Sequence, residues 1–262
     1  MVTENREITV IRVKPKPSME ETINELALDE PMCIFINGEY HVTLIASPQM
    51  KKELAVGHLI SEGMIQAQDE IRSISFNEND VHIELITEID LREISVGMMN
   101  LIVTACSGPP RRTGRKVKIP QVNSSLQVEA GAIFGMIRKL GERSDVHLRT
   151  RGTHAAMICT GDGEVLAFAE DVGRHNAVDK VIGSLALSHV DSSMCILLST
   201  GRQSGEMVQK AARGGIPIVA SMTVPLVSGV RLAEASQVTL TSIGGGQLKV
   251  YTNPERIKLK LF

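Results

Sequence analysis

The sequence predicts an α/β protein, a layered α/β domain preceded by a smaller β-rich part. Three patterns predict it. Toward the C-terminus, short fully apolar strands alternate with helical periodicity, which implies a sheet buried on both faces. The N-terminal third alternates like a β-rich layer. Between them, Thr104–Ser125 contains two adjacent prolines, two glycines and no acidic residue, and it crowds Arg111, Arg112, Arg115, Lys116 and Lys118 together. That basic loop marks the domain boundary. The division expected is 1–103 for the β-rich part, 104–125 for the loop and 126–262 for the α/β domain.

The elements follow in order. Ile8–Val13 reads as a strand. Met32–Ile36 and Tyr40–Ala46 flank Asn37-Gly38, a hairpin signal because both turn residues tolerate positive φ. Ser47-Pro48 is expected to open a helix, with Ser47 as N-cap. Leu54, Ala55, His58 and Leu59 share one face of it. Ile71–Phe76 and Val81–Ile86 form a second hairpin around Asn77–Asp80. Val128–Leu140 reads as a helix capped by Gly141. Ala155–Thr160 and Val165–Phe168 are strands joined through Gly161-Asp162-Gly163. Helices are expected at Ala177–Leu187, Glu206–Arg213 and Leu226–Ala235. Strands are expected at Cys195–Leu198, Ile216–Ala220 and Val250-Tyr251.

Composition bounds the function. Aromatic residues make up 3% of the 262 residues and Trp is absent, so aliphatic side chains and Met must fill the core. A formal net charge of −2 argues against a nucleic-acid partner. No apolar run approaches the roughly 18–20 residues of a membrane span. The segment Met1–Ile8 is polar and carries acids, unlike a signal peptide, so a cytoplasmic setting is expected. Four cysteines do not make a disulfide scaffold in a chain of this size.

Cys33, Cys159 and Cys195 lie in apolar strands, where cysteine packs as a small hydrophobe. Cys106 differs. It stands in the loop Thr104–Pro110, ahead of five cationic side chains that favour the nucleophilic thiolate. The alternative is an incidental loop cysteine. A second constellation is Glu170–Asn176. It joins a strand to a helix and offers Asp171, Arg174 and His175 where ligands bind in α/β sheets, with Asn176 as a possible helix cap. A plain capping and ion-pair turn fits the same residues. The third is Ser199–Glu206. Arg202, Ser204 and the free amides of a helix start suit a phosphate, but no Lys-Ser/Thr ending is present to make a nucleotide-hydrolysing loop. The fourth, Gly244-Gly245-Gly246, permits close backbone approach to a ligand or makes a flexible hairpin turn. No Cys-x-x-Cys or His-x-x-x-His pair occurs at metal spacing, so no metal is expected. His154 precedes a strand, but a zinc deaminase would need Glu at the position of Ala156 and a later Pro-Cys-x-x-Cys.

Together, Glu170–Gly183 (EDVGRHNAVDKVIG), Gly201–Pro217 (GRQSGEMVQKAARGGIP), Arg151–Ala156 (RGTHAA), Glu53–Gly63 (ELAVGHLISEG) and Val250–Pro254 (VYTNP) resemble the formate dehydrogenase accessory sulfurtransferase family. The resemblance implies a cytidine-deaminase-like α/β layered domain without zinc, a smaller β-rich N-terminal domain and a homodimer. It implies a sulfur carrier: a cysteine desulfurase passes sulfur to Cys106 as a persulfide. The sulfur then goes to a molybdenum bis(molybdopterin guanine dinucleotide) cofactor before the cofactor enters formate dehydrogenase. The cofactor-binding residues implied are His154, Arg174, His175, Arg202, Ser204 and the segment Ile243, Gly244, Gly245, Gly246 and Gln247. The sequence departs from the family pattern in two places. Its loop reads ACSGPP, without the second cysteine of Cys-Gly-x-Cys-Gly, and its Ile243–Gln247 segment is neutral. The alternative is a chaperone that binds and delivers the cofactor without chemistry. A zinc-free nucleoside-binding enzyme is a third reading.

Overall fold

The computed structural model of the chain describes residues 5–13, 19–87 and 119–259. The expectations placed on Cys106 and on the five basic residues up to Lys118 lie outside the described residues.

Two strands, β1 (Asn5–Val13) and β2 (Met19–Ala27), form an antiparallel ribbon. A four-stranded sheet follows, built from β3 (Glu30–Ile36), β4 (Glu39–Ala46), β5 (Ile71–Asn77) and β6 (Asp80–Leu85) in the order β4-β3-β6-β5. The expected hairpin is present: Asn37 and Gly38 take φ of 49° and 78°. The Asn37 side chain also accepts the Leu85 amide at 2.8 Å, which ties the turn to β6. One face of β3 and β4 is apolar and buried, through Met32, Ile34, Ile36, Val42, Leu44 and Ala46.

Helix α1 spans Lys51–Glu62 with Met50 at its N-cap, so the expected start at Ser47 is wrong. Ser47 is committed elsewhere. Its amide donates to Asp171 Oδ2 at 3.0 Å, its hydroxyl accepts from the Val172 amide, and its carbonyl accepts from Lys180. A tertiary partner for each polar group of Ser47 displaces its capping role.

The larger sheet has six strands. They are β8 (His154–Thr160), β9 (Val165–Asp171), β10 (Cys195–Ser199), β11 (Ile218–Ser221), β12 (Thr239–Gly244) and β13 (Gln247–Val250), in the order β13-β12-β11-β10-β8-β9. Pairs β10–β11 and β11–β12 are parallel; the others are antiparallel. Alternate residues enter two cores. Ala155, Met157, Cys159, Ile196, Leu198, Ile218 and Ala220 face helix α2 (Ala130–Arg143), which contributes Ile133, Met136, Ile137 and Leu140. Ala156, Ile158, Leu197, Val219 and Leu240 face the opposite core. There they meet α1 and helices α4 (Arg174–Leu187), α5 (Gly205–Arg213) and α6 (Val227–Ser236). A short helix, α3 (Asp145–Thr150), precedes β8. The period-two burial on both faces is what the apolar strands predict.

Further expectations are corrected. Val128–Glu129 is a two-residue strand, β7, paired with β14 (Ile257–Lys258). The helix after it runs past Gly141 to Arg143. A β-pairing partner 129 residues away in sequence could not be read from local periodicity. Helix α4 starts at Arg174 with Gly173 at its N-cap, and Asn176 is not the cap. The Asn176 amide instead donates to the Ile45 carbonyl at 2.8 Å and to Asp171 Oδ1 at 3.0 Å. The last strand of the large sheet ends at Val250, ahead of Tyr251. Among the described residues no helix is long and apolar enough to cross a membrane.

Candidate functional site

Strand register brings most of the singled-out segments to one edge of the large sheet. His154 pairs with Asp171, Ser199 with Ala156, Ser221 with Ser199, and Ser242 with Ser221. The carboxyl ends of the three parallel strands therefore lie beside the start of β8 and the end of β9. Ligands of α/β sheets bind outside such carboxyl ends.

Asp171 organises this edge. It is wholly buried, and its Oδ2 lies 2.6 Å from Lys180 Nζ, also wholly buried. Oδ2 also accepts the Ser47 amide, and Oδ1 accepts the Gly173 amide and the Asn176 side chain. Burial raises the Asp171 carboxyl above its ordinary value, and Lys180 opposes that rise. The next residue back, Glu170, caps α3. Its carboxylate accepts the Val146 amide at 3.0 Å, the His147 amide at 2.8 Å and the Thr153 hydroxyl at 3.0 Å. Both acids of the Glu170–Asn176 segment are thus structural, and the first turn of α4, with Arg174 and His175, is locked in place.

Arg174 packs flat on the backbone after β10. A Cβ built on Gly201 would sit 2.8 Å from Arg174 Cβ and 3.1 Å from its Cδ, so only glycine leaves room there. Arg174 Nε is buried without a partner, and among the described residues Arg174 makes no ion pair. His154 Nδ1 lies 3.3 Å from Thr200 Oγ1, whose oxygen accepts the Ala155 amide at 3.0 Å. Burial, then the Arg174 charge, lowers His154 below the usual imidazole range. His175 is held lower still, pushed down to about 3 by burial and by Lys210 and Arg174. It is a neutral ring 3.4 Å from Glu206 Oε2.

The loop from Thr200 to Ser204 is stiffened by Gln203, whose residue is wholly buried. Its Nε2 donates to the Gly201 carbonyl at 2.8 Å, and its carbonyl accepts the Leu226 amide at 2.9 Å. Ser204 caps α5 by position, although its hydroxyl is buried without a partner; the Gly205 amide is taken by Ser228 Oγ at 3.1 Å. Arg202 is exposed.

The glycine segment reaches the same edge but stands apart. Ile243 and Gly244 end β12, Gly245 and Gly246 take φ of 60° and 75°, and Gln247 begins β13. This is a tight hairpin, and a Cβ on any of the three glycines would meet nothing within 4 Å. Three strand spacings, about 14 Å, separate β12 from β8.

Sequence reasoning missed a polar ladder under the site. His175 and Asp179 on α4 face Glu206 and Lys210 on α5. Lys210 Nζ donates to both Asp179 oxygens, at 2.9 and 2.8 Å. His58 of α1 lies 3.7 Å from Asp179 and 3.3 Å from His41 of β4. Lys210 holds the Asp179 carboxyl below its ordinary value against the opposing effect of complete burial. The matched i, i+4 spacings His175/Asp179 and Glu206/Lys210 were the available signal. Thr200, Gly201 and Gln203 carried no signal beyond their place in a strand-to-helix turn. Among the described residues no cluster of three or more His, Cys, Asp and Glu could hold a metal.

Comparison with known proteins agrees on one family. The FdhD/NarQ family profile matches residues 27–258. A "Sulfur carrier protein FdhD" of Methanothermobacter thermautotrophicus is 34% identical over 257 residues, covering 96% of this chain and 98% of that one. Another of the same description, from Shouchella clausii, is 32% identical over 246 residues, with 90% of each chain covered. A crystal structure from Desulfotalea psychrophila, described as a formate dehydrogenase accessory protein, superposes with a TM-score of 0.79 at 25% identity, covering 97% of this chain and 100% of that one.

Proposed function

The chain belongs to the FdhD/NarQ family, and from that premise we propose that it is a sulfur carrier required for formate dehydrogenase activity. In this reading Cys106 is the carrier. Its thiolate attacks the outer sulfur of a persulfide on a cysteine desulfurase. A new S–S bond forms on Cys106, the old S–S bond breaks, and the desulfurase cysteine leaves as thiolate. The sulfur then passes to the molybdenum bis(molybdopterin guanine dinucleotide), which is cargo rather than a resident cofactor. The reading carries with it a cytoplasmic setting, a homodimer and a zinc-free, deaminase-like layering of the large sheet. Helices on both faces of that sheet are consistent with the layering.

The observation that carries the reading is Arg174 on Gly201, without an ion pair among the described residues, beside two imidazoles at the carboxyl edge of the sheet. A guanidinium without an ion-pair partner among the described residues, held between two locked loops, suits the phosphates of a dinucleotide cofactor. Arg202 and Ser204 border the same loop.

The loop sequence ACSGPP, with its single cysteine, favours a second reading, a chaperone that binds the cofactor and performs no chemistry. One experiment separates the two. After incubation with a cysteine desulfurase and cysteine, intact mass should show one added sulfur atom, lost in Cys106→Ser. A Cys106→Ser protein that fully activates formate dehydrogenase rejects the transferase reading and leaves the chaperone.

A further inference from the structure

We propose that Arg174 and His154 form a proton-coupled phosphate seat, in which His154 takes up a proton as the anion settles. The inference rests on the reading of this edge as the site for the cofactor's nucleotide, and adds how that site is regulated.

The argument starts from charge. Arg174 has no carboxylate partner among the described residues, and its Nε is buried and unsatisfied. Its stem is pinned against Gly201, so the guanidinium cannot swing to another partner without leaving that contact. Two acids of the neighbouring strand end are already engaged, and Glu206 lies 3.4 Å from His175 rather than in an ion pair with Arg174. Asp171 is neutralised by Lys180 at 2.6 Å, and Glu170 is taken by two amides and a hydroxyl of the α3 cap and the segment after it. Among the described residues the Arg174 charge therefore has no ion-pair partner, and a bound anion would supply one.

Phosphate esters and diphosphates bring more than one. A terminal phosphate carries about −1.5 to −2 near neutral pH. The surplus negative charge draws a proton to the nearest neutral base. Two imidazoles are candidates, and their surroundings decide between them. His175 is packed among Lys210, Arg174, Asp179, Glu62 and Glu206 and is largely desolvated, so it remains neutral. His154 is half-exposed at the strand start and faces Arg174 of α4, His147 of α3, Asp171 of β9 and the Thr200 hydroxyl. His147 holds its Nδ1 2.6 Å from the Thr153 carbonyl, so that nitrogen carries its proton. Of the charges around His154, Arg174 is the one that a bound anion cancels. Burial is the first obstacle to protonating His154 and the Arg174 charge the second; occupation relieves the second and adds an attractive charge beside the ring.

By linkage, a ligand that raises proton affinity is itself bound more tightly as pH falls. One coupled proton strengthens binding by up to about tenfold per pH unit. Titration calorimetry with GDP and with inorganic pyrophosphate tests this. It is run near pH 8, above the second pKa of about 6 of GDP's terminal phosphate, in buffers that differ in ionisation enthalpy, and for pyrophosphate, which itself still titrates there, uptake is read as the excess over His154→Gln. The natural protein should take up protons on binding. His154→Gln, which keeps a polar group toward Thr200 but cannot be protonated, should bind without uptake and with a flatter pH dependence; His154→Asn serves if the Gln protein does not fold. Arg174→Gln should weaken both ligands about tenfold to a hundredfold. Equal uptake in the natural protein and His154→Gln, or no uptake in either, overturns the proposal. GDP binding without uptake overturns it while leaving the nucleotide reading intact. Pyrophosphate binding with uptake alongside no binding of GDP sustains the seat and removes the nucleotide. Failure of both ligands to bind overturns both.

Discussion

Gly57 of α1 and Gly183 of α4 cross backbone to backbone. A Cβ on Gly57 would lie 1.8 Å from the Asp179 carbonyl oxygen, and one on Gly183 would lie 1.9 Å from the Glu53 carbonyl oxygen. This crossing lets α1 enter the core shared by the β-rich sheet and the large sheet, and it sets His58 against Asp179.

Gly57→Ala and Gly183→Ala should each destabilise the protein by about 1–3 kcal/mol or more, because backbone rather than a flexible side chain must yield. Gly131→Ala, where a Cβ meets nothing within 4 Å, is the control and should be neutral or stabilising. Urea midpoints of the three proteins check this. Equal midpoints for Gly57→Ala and Gly131→Ala would show that the helices can separate freely.

Asp171 and Lys180 should respond unequally to substitution. Asp171→Ala strands a wholly buried ammonium whose other partner is the Ser47 carbonyl, and should cost about 3–5 kcal/mol. Lys180→Met leaves a carboxylate still held by the Ser47 and Gly173 amides and Asn176, so its cost should be smaller. Thermal or chemical unfolding of the pair measures the order, and a costlier Lys180→Met would show that the amides contribute little.

Stability should fall as the solution is acidified below about pH 6.5, the ordinary imidazole value. Folded His175 is pushed down to about 3, so between those values the unfolded chain binds a proton that the folded chain refuses. Its contribution is complete above the unfolded value and is lost as pH falls toward the folded one, at up to about 1.4 kcal/mol per pH unit. Asp179, whose carboxyl is held low, adds a loss only below about pH 4. Unfolding free energies at successive pH values should show the first decline reduced in His175→Gln. An identical decline in both proteins would place its origin elsewhere.

Cys106 should be the one thiol that alkylates rapidly near neutral pH. Burial pushes Cys159 and Cys195 up to about 11, and Cys33 is half-buried with its sulfur 3.3 Å from the Thr43 hydroxyl. Added salt should slow Cys106, because it screens the basic residues that follow in sequence. Peptide mapping after a short pulse of iodoacetamide identifies the sites. Labelling of Cys159 or Cys195 before denaturation would contradict their burial.

His154 should hold no zinc. Its neighbours are the Thr200 hydroxyl, the Arg174 guanidinium, His147 and an Asp171 already paired with Lys180, and Arg174 repels a divalent ion where a deaminase would place acid and thiolates. Elemental analysis of the purified protein should give no zinc that is lost specifically in His154→Gln.

Much of the fold was legible because its signals are local. Apolar strands such as Cys195–Ser199 and the Asn37-Gly38 turn declare themselves within a few residues, since burial on two faces and positive φ each select residue types on the spot. The sequence likewise marked Arg174, His175, His154, Arg202 and Ser204 as candidates and, through its joined motifs, the family. What it could not decide was who partners whom. Ser47 and Asn176 look like helix caps until Asp171 and Ile45, 124 and 131 residues away, claim them. Val128 looks like a helix start because its pairing with Ile257 is invisible locally. Only tertiary structure set Arg174 on Gly201, held His175 neutral over the Asp179–Lys210 pair, and placed the glycine hairpin three strands from His154. The physical reason is that propensity and periodicity act between neighbours in the chain, whereas desolvation, charge balance and packing act between neighbours in space.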